Sequence, residues 1–342
     1  MANNVSLNQD SGLVASAKFA NFFYTHNDRS NMNTKGMFFM IGPVVAGQTL
    51  TTRTYMLPSA VTSTVVDTEE IQVGPGPKVN TSFLYFGDIG DNDHTRANIQ
   101  IFRTEEPAQF TIDSTHRSQT LSSSAVETLL LRYPDDFYNS WNHGTGQLKL
   151  NSEAFFIDPV TGTLYIIEKP CGGWGLTGSS VIFSMPAPLP FDGAVHTLDA
   201  IFAGSIDTTG FSGTEHNETN CADQTAATGG HRVTGAAINR TGTAVMVTGY
   251  GTTKFWWLGP YRGLGSSAWG EPGALMSINA PTPYGWECDL NATAPGAMQD
   301  VDAPPGFLNM REAITFTRDT LNSGVHFLTT GEGANGHPIW RY

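Results

Sequence analysis

FLYFGDIGDNDHTRANIQIFRTEEP, residues 83–107, decides how the chain is read. Phe83-Leu84-Tyr85-Phe86 is an apolar, aromatic-rich run of strand length, which reads as a buried strand. The chain then breaks at Gly87-Asp88-Ile89-Gly90-Asp91-Asn92-Asp93, where two glycines, carboxylates and an amide crowd a turn. From Asn98 to Arg103 polar and apolar residues alternate, the period of a half-buried strand. The unit is strand, acidic turn, strand. Two readings of the turn stand side by side. Carboxylate oxygens packed into a Gly-bent loop are what a hard cation such as calcium selects. Asp, Asn and Gly are also the residues of an ordinary solvated hairpin turn.

Outward from this stretch, one pattern recurs: a small or acidic residue, an apolar strand, a turn and a second strand. It occurs at Ser11 to Ala15 with Phe22 to Asp28, and at Thr68 to Val73 with the Phe83 strand. It occurs again at Ser152 to Asp158 with Thr163 to Glu168, and at Thr234 to Asn239 with Ala244 to Thr248. The last copy is Arg311 to Phe316 with Val325 to Thr330. Equivalent positions fall at 12, 70, 153, 235 and 312, so the intervals are 58, 83, 82 and 77 residues. Each interval has room for two further strands. The candidates are Lys35 to Ile41 and Leu50 to Leu57, Asn98 to Arg103 and Val126 to Tyr133, and Ser180 to Met185 and Thr197 to Ala203. Thr253 to Leu258 and Ala274 to Asn279 serve the fourth unit, and Pro338 to Arg341 the last.

Five four-stranded units on a radial axis make an all-β propeller in one domain, residues 1–342. Asn4 to Leu7 would supply the missing outer strand and close the ring. Six blades result if the loop from Gly259 to Phe307 holds an extra sheet; Pro134 to Gly146 and Gly204 to Gly230 are the other long loops. No segment has helical period and caps, so little helix is expected. Gly at 37 and Pro at 19 suit frequent tight turns.

Composition narrows the function. A net charge of -13 argues against nucleic acid or an anionic membrane as partner. No apolar run is long enough to span a bilayer. Richness in Thr, Ser, Asn and Gly with few Lys points to a secreted, extracellular protein, Met1 standing where a signal peptide has been removed. Cys171, Cys221 and Cys288 have no metal-type spacing; one disulfide with a free thiol and three buried thiols are both allowed. Glycosylation sequons begin at Asn4, Asn80, Asn217, Asn239 and Asn291, about the number expected by chance in such a chain.

In a propeller the first strand of each blade lines the axis, so Glu70, Glu153 and Glu312 share one position there, with Gly12 and Gly235 in the other two blades. Converging carboxylates require protons or a cation, and calcium with 6–8 oxygen ligands fits. The competing reading gives each Glu backbone amides or an Arg such as Arg232 or Arg311. His26, beside Asn27 and Asp28 at the channel mouth, has the setting of a general base oriented by a carboxylate, or of a structural histidine. Asp88 and Asp91 are further candidates for a catalytic carboxylate pair. Trp256, Trp257, Trp269 and Trp286 suit either sugar stacking or inter-blade packing. No GxSxG, HExxH or P-loop occurs.

The phrases THND at 25–28, GDIGDN at 87–92 with downstream Arg96, SEAFFIDPVTGTLYIIEK at 152–169, VTGAAINRTG at 233–242, REAITF at 311–316 and TTGEGAN at 329–335 resemble those of a secreted, mostly bacterial β-propeller family of unassigned function. SEAFFIDPVTGTLYIIEK and GEGAN are also similar to calcium-dependent β-propeller phytases, and the five blades with an axial cation to calcium-activated apyrases. Those resemblances imply calcium on acidic residues and phosphoester hydrolysis. The chain departs from such enzymes in its 18 unclustered Lys and Arg residues, where a phosphate site needs several together. Two functions from different classes are therefore expected: a calcium-dependent hydrolase of a phosphoester or glycan sited at the channel mouth, or a non-catalytic module for ligand binding, adhesion or extracellular structure, in which calcium stabilises the fold.

Overall fold

The computed structural model describes residues 10–28, 35–44, 51–92, 95–111, 118–134, 150–169, 179–207, 232–242, 244–249, 253–257, 287–289, 311–316, 327–331 and 340–341. Among them the chain forms five sheets. Sheet 1 is β1 (Asp10–Ala15), β2 (Phe23–Asn27), β3 (Met37–Gly42) and β4 (Thr51–Met56), an antiparallel meander. The one-turn helix α1 (Ser59–Thr62) leads to sheet 2, which is β5 (Glu70–Pro75), β6 (Ser82–Asp88), β7 (Ile99–Glu105) and, after β8 (Ser118–Thr120), β9 (Val126–Arg132). Sheet 3 is β10 (Ser152–Ile157), β11 (Leu164–Glu168), β12 (Ser179–Met185) and, after β13 (Val195–Thr197), β14 (Asp199–Asp207). Sheet 4 is β15 (Gly235–Ile238), β16 (Ala244–Thr248), β17 (Thr253–Trp257) and β18 (Glu287–Asp289). Sheet 5 is β19 (Arg311–Phe316), β20 (Phe327–Gly331) and β21 (Trp340–Arg341). No helix among the described residues is long and apolar enough to cross a membrane.

Apolar runs such as FLYF and AFFI arise because these sheets are buried on both faces. Successive residues of a strand point to opposite sides. Phe155 and Ile166 face sheet 2, packing with Tyr85, Ile101 and Leu129, while Phe156 and Ile167 face sheet 4, packing with Val245 and Val247. Sheets 1 and 2 share a third core of Tyr24, Phe38, Tyr55, Leu84, Phe86 and Phe102. First strands neighbour one another in cyclic order, β1 with β5, β5 with β10, β10 with β15, β15 with β19, and β19 with β1. Sheets stacked face to face around an axis lined by their first strands make a β-propeller.

The two parallel additions escape a periodicity reading. β8, from the connection between the third and fourth strands of sheet 2, pairs in parallel with β4 at the outer edge of sheet 1. β13, from the same connection of sheet 3, pairs in parallel with β9 of sheet 2. Each covers an outer edge that would otherwise expose unpaired backbone groups. Some expected boundaries move. The third unit's last strand runs to Asp207, past the expected loop start at Gly204, and the fourth strand of sheet 4 is Glu287–Asp289. Asn4 to Leu7, Ala274 to Asn279, Cys171, Cys221, Trp269, Trp286 and most of the three long loops lie outside the described residues.

Phe155, fully buried between sheets 2 and 3, lies against Gly87 so closely that a β-carbon there would sit 2.7 Å from its ring. Phe155→Ala should lower unfolding free energy by about 3–5 kcal/mol, read as a shift of the urea midpoint with unchanged slope.

Candidate metal centre

Because first and second strands are antiparallel, the start of one and the end of the other lie at the same end of the axis. Asp10 pairs with Asn27, Glu70 with Gly87, Ser152 with Glu168 and Gly235 with Thr248. Residues flanking these positions therefore gather at one mouth of the channel. There Asp28, which follows β2, meets Asp67 and Glu69, which precede β5, with one carboxylate oxygen of each within 4.8 Å of the other two. Oxygens on opposite sides of one calcium ion are about 5 Å apart, given Ca–O distances near 2.4 Å. Asp67 and Glu69 are buried and Asp28 is partly exposed.

The backbone fixes this grouping. Glu69 N–H donates to the Gly87 carbonyl at 2.9 Å and Ser11 Oγ donates to the Glu69 carbonyl at 2.8 Å, joining sheets 1 and 2. Gly90 N–H donates to the Asp67 carbonyl at 3.2 Å. A β-carbon on Gly90 would meet Glu69 Oε1 and Asp67 Oδ2, so a side chain there would displace both carboxylates. Glu69 Oε1 is buried with no hydrogen-bond partner among the described residues. Burial, together with Asp67, Asp28 and Glu153, pushes the Glu69 carboxyl well above the usual carboxylate range, and Lys169 opposes this.

Of the three glutamates expected on the axis, Glu70 and Glu153 have separate surroundings, and the Glu312 side chain lies outside the described residues. Glu70 is fully buried; its Oε1 accepts from Ile71 N–H at 2.9 Å and its Oε2 from Ala236 N–H at 3.2 Å. Burial pushes its carboxyl well above the usual range, against the bonds from Ile71, Ala236, Gln72 and Leu13. Glu153 pairs with the Lys169 ammonium beside the acidic group. Glu153 and Glu312 occupy matching irregularities, between Ser152 and Ala154 in β10 and between Arg311 and Ala313 in β19. Gly12 falls at the same irregularity in β1, with φ +80, and a side chain there would strike His26 Nε2, Glu70 Oε1 and Ile71 N.

Asp88 and Asp91 serve the turn. Asp88 is fully buried and accepts from Val66 N–H at 3.0 Å, Asp67 N–H, Gln100 Nε2 at 2.6 Å and Arg96 Nη2 at 2.8 Å. Asp91 accepts from Thr95 and Arg96 N–H at 2.8 and 2.9 Å, and its own N–H donates to Asn151 Oδ1 at 2.7 Å. Arg96 also donates to the Gly90 carbonyl at 2.7 Å, so GDIGDN and Arg96 form a single brace that presents Asp67. His26 is buried, and burial lowers its pKa to about 4, leaving it neutral near pH 7. Its Nδ1 lies 3.0 Å from the Asn27 carbonyl, which can only accept, so Nδ1 carries the hydrogen and Nε2 is left as an acceptor. Nε2 has no partner among the described residues.

Reading the sequence singled out Asp28 but missed Asp67 and Glu69. The available signal was the DTEE run at 67–70, in which only Glu70 matched the repeat.

No protein-family model and no curated protein matches the chain. Similar solved structures include the Dos1 propeller, at 7% identity and a TM-score of 0.32 over 97% of this chain and 56% of that one. Another is Trypanosoma rangeli sialidase in complex with the inhibitor DANA, at 8% identity and a TM-score of 0.39 over 97% of this chain and 54% of that one. The chain spans about half the length of these structures. Its site is therefore read from its own residues.

Glu168, next to Lys169, gives the mouth a measurable pH dependence. Burial raises its carboxyl to about 7, against one bond from Val181 N–H. A folded-state pKa above the unfolded value makes this contribution complete in acid and lost as pH climbs toward 7. Urea titrations in chelator at pH 5 and pH 8 should therefore show Glu168→Gln gaining on the wild type by roughly 2–3 kcal/mol over that interval.

Proposed function

We propose that the protein is a five-bladed, calcium-binding β-propeller, closed by its N-terminal strand, with the ion at the Asp28–Asp67–Glu69 mouth. The observation that carries this reading is the convergence of three carboxylates, one oxygen of each within 4.8 Å of the others, beside a glycine whose side chain would displace two of them. Repulsion among them is relieved by a cation, and an all-oxygen, flexible donor set suits calcium over zinc or copper. The cyclic neighbour order of the five first strands supports the blade number. Asp28 is partly exposed, so an ion held there would be within reach of water or a ligand oxygen, as binding of a glycan or other small oxygen-rich molecule requires. Millimolar calcium outside cells suits a site of this kind, in keeping with a composition rich in Thr, Ser and Asn.

His26 favours a second reading, a calcium-dependent hydrolase acting on a phosphoester or glycan. A neutral imidazole with an unprotonated Nε2 has the protonation state of a general base, and because Nε2 is buried beside Gly12 this reading requires the mouth to open before a substrate or water reaches it. In this reading Asp28 would help hold the ion, which would supply an activated water, and Asp88 and Asp91 position the loop.

Melting curves in calcium and in excess chelator test the proposal. With calcium at 100 times its dissociation constant, the wild type should be stabilised by about 2.7 kcal/mol. Glu69→Gln and Gly90→Ala should each abolish the shift, the second without removing a ligand. Superposed wild-type curves, with no calorimetric binding, would refute the cation. Calcium-dependent release of nitrophenol from nitrophenyl phosphate or glycosides, lost in His26→Gln, would select the hydrolase; a silent wild type that binds calcium selects the binding module.

A further inference from the structure

The opposite mouth of the channel holds a cavity of about 560 Å³, within the range of small-molecule sites. It lies where the first strands end, so Ala15, Pro75, Ile238 and Phe316 reach it from sheets 1, 2, 4 and 5, and Pro159 from the β10–β11 turn of sheet 3. Its inner end is closed by Gln72, whose Nε2 donates to the Ala236 carbonyl at 2.9 Å. Glu70 makes the parallel bond to Ala236 N–H on the acidic side. These two side chains cross from β5 to β15 and separate the two mouths.

The charges at this end are reversed. Lys18, Lys78 and Arg240 line the cavity and Glu105 is its one lining carboxylate, so the cavity is locally positive in a chain of net charge -13. The protein already places a carboxylate between two of these cations. Glu105 lies 2.8 Å from Lys78 Nζ and 3.5 Å from Lys18 Nζ. The cavity also has apolar wall from Val73, Ile238 and Phe316 and short hydrogen-bonding side chains at Asn80, Thr81 and Ser82.

We propose that this cavity binds a small organic anion of sugar size, a polyol ring bearing one carboxylate or phosphate. The anionic group sits at Lys18, Lys78 and Arg240, and the ring rests on Val73, Ile238 and Phe316. A compact ligand with one charged group is attracted by the local cations, whereas an extended polyanion is repelled by the chain's net charge. The site is independent of calcium because the Glu70–Gln72 crossing lies between them.

Calorimetric titration of the full chain with D-glucuronate, glucose 6-phosphate, D-glucose and inorganic phosphate, in calcium and in chelator, tests this. Glucuronate or glucose 6-phosphate should bind, the stronger of the two identifying the anionic group. Glucose should bind at least tenfold more weakly, and chelator should change nothing. Lys78→Gln combined with Arg240→Gln should weaken binding on the order of tenfold, as loss of two partly screened charge contacts implies. Both residues are exposed, so the variant's melting curve should match the wild type. Glu105→Gln should tighten binding several-fold by releasing the two lysines, a gain that damage to the fold would not produce. Equal binding of glucose and glucuronate, no binding of any probe, or unchanged affinity in the double variant would each overturn the proposal. Inorganic phosphate binding as tightly as glucose 6-phosphate would overturn the ring contact. Loss of binding in chelator would overturn the independence of the two mouths. Failure of the calcium reading alone leaves all these outcomes distinct.

Discussion

The buried carboxyl group of Glu70 is the constraint on which the inner ring depends. It takes hydrogen bonds from Ile71 on its own strand, from Leu13 on β1 and from Ala236 on β15, so one side chain ties three sheets. Each donor is a buried backbone amide, and stranding such a group costs about 1–3 kcal/mol. Burial raises the proton affinity of the carboxyl while the donors lower it, but in either protonation state the oxygens accept from the same amides. Gly12 suits this arrangement, since Glu70 Oε1, His26 Nε2 and Ile71 N occupy the space a β-carbon there would need. The absence of a ligand-type residue at position 12 is a packing consequence of the glutamate at position 70.

The propeller was legible because two-sided burial leaves a distinctive trace. A strand covered on both faces must be apolar at consecutive positions, and FLYF, AFFI and LYII are such runs. Their recurrence with a polar residue at the head of each first strand set the repeat, and β1, β5, β10, β15 and β19 fall where it placed them. The outer additions left no trace. β8 and β13 are three-residue strands whose side chains are mostly exposed, with no apolar period to detect. They are held by backbone bonds to the neighbouring sheet, which sequence pattern does not encode.

The candidate site was half legible for a geometric reason. Equivalence along the repeat placed Glu70, Glu153 and Glu312 at the heads of first strands; Glu70 pairs with Gly87, while Glu153 and Glu312 fall at register shifts in β10 and β19. Position on a strand does not fix what a carboxylate meets, because adjacent residues point in different directions. Glu70 turns inward to the amides while Glu69, one residue earlier, turns toward Asp67 and Asp28. The acidic turn misleads in the same way. Asp88 and Asp91 look like ligands by composition, yet Arg96, Gln100 and backbone amides occupy them. The informative residue in that turn is Gly90, which has no charge at all.

Why carboxylates collect at this mouth follows from comparing their neighbours. The Asp88 carboxylate has a guanidinium within 2.8 Å, so its charge is offset inside its own loop. Glu153 has the Lys169 ammonium. Around Glu69, by contrast, three carboxylates act against that single ammonium, and its Oε1 lacks a hydrogen bond. A proton would neutralise Glu69 but would not pull Asp28 of sheet 1 toward Asp67 of sheet 2. The divalent cation proposed above would do both, because one ion would attract oxygens from both sheets at once. The brace formed by Asp88, Asp91 and Arg96 would serve such an ion as well as the turn itself. It holds Asp67 and Gly90 in place, so that less ordering would remain on binding of the proposed ion.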